Sequence, residues 1–353
     1  MPHALAASPP ARLLHVGSYA PLGRGIYSFA IDAGGALRPL GLTPNAGSPS
    51  WLATDGRFVY AAEEGAHQVA VYAQDDAGRL VLLQRLPSGG HAPCHLSLGA
   101  GHAWVAHYGD ARFAALPLLP DGRLGAAQVW PSCAGPDCRP GPRQAANAPP
   151  GSQARSGHDA PHAHMLQPSP DGRWLLGTDL GRDRLLVWPR DDFRQPAREL
   201  ALSPGSGPRH FVFQPGDAGL VHVLQEESST LSTVMLDPLR VVNEVSVLPA
   251  GFEGTNYASD LLVAPGGRHL YALNRLHDSI AVLSLDDPHA PRLLDHHWVR
   301  GSYPRSACIV GTQMYVCNQR SDQLSHFDLS RPEAPRFTGR QTGVPSPAGA
   351  CAV

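Results

Sequence analysis

Lysine is absent from this chain of 353 residues, and arginine supplies all 28 basic side chains. Those arginines are scattered rather than clustered, and the formal net charge is -2. Such a chain offers no electrostatic footprint to nucleic acid or to an anionic membrane surface, so a small-molecule partner is expected. No apolar run approaches the ~18 residues of a spanning helix, and the opening MPHALAASPPARLLHVGSY has no charged segment followed by an apolar one. A soluble, cytoplasmic protein without membrane contact is expected, as a monomer or weak homo-oligomer. Sustained i, i+3, i+4, i+7 apolar periodicity is missing as well, and 35 prolines with 37 glycines would interrupt most helices.

Cysteine is sparse. Cys94, Cys308 and Cys317 lie in or beside strand-like segments, where small buried reduced thiols are common. Cys133 and Cys138 stand close together in a Gly/Pro-rich loop and suit either a loop disulfide or half a metal site. No second cysteine pair supplies the remaining ligands of a zinc centre, so no metal is predicted. A Gly-x-Ser-x-Gly elbow and a Gly-rich phosphate loop are both missing, which removes support for serine-hydrolase and nucleotide-dependent chemistry. No cofactor is predicted.

What is present is repetition. A short strand often opened by proline, a Gly-containing turn, a second strand, a polar turn, a third strand and a looser fourth recur from Ser48, Ala92, Ala160, Gly207, Tyr257 and Tyr303. With Pro49, Pro93, Pro161, Pro208, Tyr257 and Pro304 taken as equivalent, all steps but one fit a propeller blade of about 40–50 residues. The long step holds an irregular insertion rich in Pro, Gly, Ala and Ser, at about 130–159. LLHVGSYA and GIYSFAIDAGGAL match second and third strands, and SPAGACAV matches a first strand. Three N-terminal strands plus the C-terminal strand therefore complete a seventh blade and close the ring. The prediction is an all-β chain, 1–353, forming a single seven-bladed propeller with four antiparallel strands per blade.

First strands line the channel of a propeller, and their polar residues are candidate site residues. They include His162 and His164, then Arg209 and His210, then Asp260, then Arg305. Ends of second strands add Glu64, Tyr108, Asp179, Glu226, Arg275 and Asn318. Buried charges either pair with one another or await a polar ligand, so Arg209 with Glu226 and Asp260 with Arg275 are also candidate structural ion pairs. Arginine at these positions disfavours a bound cation and favours an anion or a carbonyl. The DG turns at Asp55-Gly56, Asp121-Gly122 and Asp171-Gly172 are hairpin chemistry.

PHAHM with SPDGRWLLGTDLGRDRLLVW, GSGPRHFVFQP with VHVLQEE, ASDLLVAPGGRHLYALNR, and YPRS with YVCNQRSDQL occur in this order. In these motifs the chain resembles the lactonase family of seven-bladed β-propellers, which includes bacterial 6-phosphogluconolactonases and fungal 3-carboxy-cis,cis-muconate lactonizing enzymes. The resemblance implies a catalytic set of one histidine, two arginines and one glutamate, falling on His164, Arg209, Glu226 and Arg275. His162, His210, Asp260, Arg305, Glu64, Tyr108 and Asp179 are then the candidate substrate-binding residues. Glu227 competes with Glu226, and the family's further basic residue falls on Arg143 or Arg155. The implied activity is hydrolysis of a sugar lactone, 6-phosphogluconolactone first among them, by base-activated water with arginine at the oxyanion. Either His164 or Glu226 serves as the base. A lactonase or lactonizing enzyme for another anionic lactone, and a non-catalytic binding propeller, are the alternatives.

Overall fold

A computed structural model describes residues 12–154 and 157–353. The first residues of the chain and Arg155 lie outside the described part. Seven four-stranded antiparallel sheets follow one another, and no described helix is long and apolar enough to cross a membrane. The innermost strands are Pro49–Thr54, Pro93–Gly99, Ala163–Pro168, Pro208–Gln214, Ala258–Val263, Pro304–Val310 and Pro347–Ala352, and we number their blades 1 to 7. Each inner strand touches its neighbour in the next blade, with Pro347–Ala352 seated between Pro304–Val310 and Pro49–Thr54. Blade 7 pairs that C-terminal strand with Arg12–Ser18, which in turn pairs with Gly25–Ile31, as expected from the sequence.

Alternation of side chains explains the packing. Middle strands such as Phe58–Glu63 are buried on both faces, whereas fourth strands such as Leu37–Pro44 are largely exposed. Facing sheets interdigitate: Phe58, Tyr60, Val69 and Val71 of blade 1 meet Leu96, Val105 and Ala114 of blade 2. Closure rests on the same chemistry, with Leu14, Val16 and Phe29 of blade 7 against Tyr315, Cys317 and Leu324 of blade 6. Each fully buried Leu, Val or Phe contributes roughly 1.5–3 kcal/mol, so the closing interface is a substantial part of the stability.

One irregularity recurs in every blade. Just after its start, each inner strand carries one more residue than its partner, a β-bulge that re-aims side chains. The extra residues are Ser50, Cys94, His164, Arg209 and Arg305, with Ser259–Asp260 and Ala348–Gly349 spanning the same feature. Register corrects the repeat phase expected above. Ala163 and Ala258, rather than Pro161 and Tyr257, are the counterparts of Pro208. His162 precedes the strand Ala163–Pro168, whereas His164 is its bulge residue, so the two do not share a strand face as expected. The insertion begins later than expected too, since Trp130 pairs with Phe113 inside the fourth strand Gln128–Pro131.

Candidate active site

Immediately after each second strand, one backbone amide donates to the carbonyl that precedes the first strand. The donors are Tyr19, Glu64, Tyr108, Leu180, Glu226, Arg275 and Gln319, at 2.7–3.0 Å, with acceptors running from Ser346 through Ser48 to Tyr303. These seven residues form the rim of one channel mouth, and the bulge residues His164, Arg209 and Arg305 stand beside them.

Glu226 sits at the centre of the charged groups. Its Oε2 lies 2.9 Å from Arg209 Nε, and its Oε1 lies 2.7 Å from Arg275 Nη2. One carboxylate thus holds two guanidinium groups from different blades. Arg275 is committed further, donating to the carbonyls of Tyr257 and Ala258, with Tyr257 and Tyr303 against its planar face at 5.5 and 5.2 Å. Nη1 of Arg209 donates to the Ser259 carbonyl and lies 3.2 Å from Nε2 of His210. Because Nδ1 of His210 donates to Asp260 Oδ1 at 2.8 Å, Nε2 is left as the acceptor for Arg209. Asp260 in turn accepts from the Leu261 and Ala307 amides. A chain from backbone through Asp260 and His210 therefore fixes Arg209, while Arg209 Nη2 has no partner among the described residues.

Burial and charge set the protonation states. Burial, then the charges of Arg209, His210 and Arg305, hold His164 well below the usual histidine range, so the ring is neutral. Its Nδ1 has no partner among the described residues, and its ring lies 5.3 Å from His210 and 5.9 Å from Tyr108. Burial opposes ionisation of Glu226, but Arg275 and Arg209 outweigh it and keep the carboxyl below its ordinary range. Burial pushes Asp260 up to about 6 and, with Arg275 close by, brings Arg209 down to about 10. His95, His164 and His210 converge on the channel, yet no group of described residues is arranged to hold a metal ion.

A family model described as Lactonase, 7-bladed beta-propeller, matches residues 13–352. The chain belongs to the lactonase family of seven-bladed β-propellers. It is 28% identical over 349 residues to the 6-phosphogluconolactonase of Bacillus subtilis, covering 94% of both chains. To the 6-phosphogluconolactonase of Cronobacter sakazakii it is 25% identical over 335 residues, covering 92% of this chain and 89% of the other. Its fold matches the periplasmic gluconolactonase of Pseudomonas aeruginosa with a TM-score of 0.82 at 26% identity, covering 97% and 99% of the two chains.

In this lactonase, Arg209, Glu226 and Arg275 meet directly, and His164 and Arg305 stand close enough to feel Arg209. The ion pair expected between Asp260 and Arg275 is replaced by Asp260 with His210 and Arg275 with Glu226. His210 buttresses Arg209. Glu64 lies on the rim, where its Oε2 accepts from the Tyr19 hydroxyl at 2.7 Å. Tyr108 stacks on His162 at 4.1 Å, and His162 donates from Nδ1 to the Tyr108 carbonyl while its Nε2 faces Asp159 at 2.9 Å.

Asp179 and Asn318 are not brought to the mouth. Each is the last residue of its second strand, one position before the rim, so its side chain turns into the blade. Asp179 accepts from Ser132 and from the amides of His162 and Arg182, and Asn318 donates to Ser325. Glu227 does not compete with Glu226: it lies buried with its Oε2 2.8 Å from His158. Sequence reasoning missed Tyr19, the rim residue of blade 7, although the phase of GSYA already matched the ends of other second strands. It also missed His158, whose two ring nitrogens face Glu227 and Asp183.

That histidine ties the insertion to the mouth. Asp183 accepts from the Gly205 and Gly207 amides, and the Gly141 amide donates to Gly181, so the loop is held against blades 3 and 4. It reaches blade 5 where Gly254 donates to the Pro150 carbonyl. Gly157 passes beside the Tyr108 hydroxyl and Glu227. The described parts of the insertion thus lie against blades 3 and 4 and the segment leading into blade 5, with Gly157 beside the rim residue Tyr108. Within it the structure joins Cys133 to Cys138 in a disulfide.

Proposed function

We propose that this protein hydrolyses a sugar lactone, with 6-phosphogluconolactone as the substrate. The observation that carries the reading is the sharing of one carboxylate, Glu226, by Arg209 and Arg275, with a neutral imidazole at the same mouth, His164, whose Nδ1 has no partner among the described residues. Lactone hydrolysis needs a base to draw a proton from water and a cation to receive the oxyanion of the tetrahedral intermediate. His164 takes the first role. Being neutral, it can accept a proton, whereas both oxygens of Glu226 are held by guanidinium groups that oppose protonation. Arg209 takes the second role through Nη2, and Glu226 keeps its positive charge in place. The water adds to the carbonyl carbon as its proton passes to His164. Collapse of the intermediate then breaks the ring C–O bond, and the imidazolium returns its proton to the leaving alkoxide.

Names of the relatives support the substrate class, and the arginines at the mouth support an anionic member of it. The test is proton release from freshly made 6-phosphogluconolactone, glucono-δ-lactone and carboxymuconolactone, with spontaneous hydrolysis subtracted. Turnover of the phosphorylated lactone is expected. Failure to accelerate any of the three would overturn the assignment.

A further inference from the structure

Arg305 differs from the other two arginines of the mouth. It is the extra residue of the blade 6 bulge, the position held by Arg209 in blade 4 and His164 in blade 3, so its side chain leaves the wall at the same level of the channel. Its guanidinium lies over the ring of Tyr19 at 4.8 Å, and Tyr19 is itself held by the bond from its hydroxyl to Glu64. Among the described residues no carboxylate comes within ion-pairing distance of Arg305, and none of its side-chain N–H groups has a hydrogen-bond acceptor. Arg209 and Arg275 share Glu226. Burial opposes its charge, but nearby Tyr19, Glu64 and Glu226 outweigh burial and hold the Arg305 guanidinium firmly charged, so a cation with uncommitted N–H donors faces the mouth, where an anionic ligand can take them. Arg320, which also has no carboxylate partner among the described residues, stands on the exposed rim of the same blade, 3.8 Å over the ring of Tyr303.

We propose that Arg305 is the anion anchor of this site, receiving the phosphate monoester of the substrate while its lactone carbonyl lies between His164 and Arg209. The proposal rests on the hydrolase reading above and names the feature that makes a phosphorylated lactone preferred over a neutral one. The planar fork of guanidinium matches two phosphate oxygens, and stacking on Tyr19 holds that plane before the ligand arrives. Of the anionic groups a sugar lactone can carry, a dianionic phosphate gains most from a planar guanidinium fork.

The experiment compares wild type with Arg305→Gln and Arg305→Lys, after thermal melts have shown that all three fold. The quantity read is the ratio of kcat/KM for 6-phosphogluconolactone to that for glucono-δ-lactone. Charge-assisted hydrogen bonds of this kind correspond to about 10- to 100-fold, so the ratio is expected to fall by that factor in Arg305→Gln, mainly through KM, and to recover in part in Arg305→Lys. An unchanged ratio would sink the proposal. So would a larger loss on a carboxylated lactone than on the phosphorylated one. Should the wild type hydrolyse neither sugar lactone, the hydrolase reading fails separately, and calorimetric titration with 6-phosphogluconate then decides the anchor. Binding that is lost in Arg305→Gln upholds it; no binding by wild type, or equal binding by both, overturns it.

Discussion

Replacing His158 with asparagine gives the sharpest test of how the mouth is built. The His158 side chain is fully buried, with Nδ1 2.8 Å from Glu227 Oε2 and Nε2 2.9 Å from Asp183 Oδ1. Both nitrogens face carboxylate oxygens, so both must carry protons and the ring is a cation. Burial works against that charge, but the Asp183 and Glu227 carboxylates outweigh it and raise the pKa from 6.5 to about 10. Removing one member of a buried ion pair costs about 3–5 kcal/mol. Asp183 keeps the Gly205 and Gly207 amides, which places the loss for His158→Asn near the lower end, about 3 kcal/mol. Because the folded pKa is raised, the stabilisation is complete below pH 6.5 and disappears as pH climbs toward about 10. Urea unfolding at a series of pH values measures both effects. The wild-type advantage over His158→Asn should be at its full value up to about pH 6.5 and shrink steadily on the alkaline side. A loss under about 1 kcal/mol, or an advantage that does not vary with pH, would refute the reading of His158 as a buried cation.

His164→Gln should lower kcat by about 100- to 10,000-fold with little change in melting temperature, as removal of a general base does. In the wild type, the acid limb of the pH–rate profile should lie well below 6.5, since His164 stays neutral there; an inflection at 6.5 would argue against it. Glu226→Gln leaves Arg209 and Arg275 facing each other without their shared counterion, so both stability, by about 3–5 kcal/mol, and kcat/KM should drop. Wild-type stability carried by Glu226, whose folded pKa is depressed, should be present above pH 4.5 and fade as pH falls through the lower folded value. Titration of the purified, denatured protein without reductant should find four thiols, Cys94, Cys308, Cys317 and Cys351, with Cys133 and Cys138 oxidised. Alkylation of intact cells before lysis should find the latter two reduced if the protein works in the cytoplasm.

Much of the architecture was legible because blade structure is written locally. Two-residue alternation, DG turns and the recurrence of a four-strand unit each act within a few residues, and the unmatched strands at the two ends of the sequence pointed to ring closure. The phase of the bulges was not legible. An extra residue in a strand leaves no compositional mark, and neither does the last paired residue of a second strand, so Asp179 and Asn318, which end their strands, were aligned with rim residues from which they stand one place away. The ion pairs were only half legible for the same reason: Arg209 with Glu226 lies within one hairpin, whereas Arg275 reaches Glu226 from the next blade.

The residue types available to the mouth, and their assignment to successive blades, were thus fixed by the order of amino acids alone. Which of them share a carboxylate, which arginine keeps its donors unspent, and where the insertion lies depended on contacts between blades. Those contacts join segments far apart in the chain, at angles set by sheet twist and packing, and no local pattern encodes them.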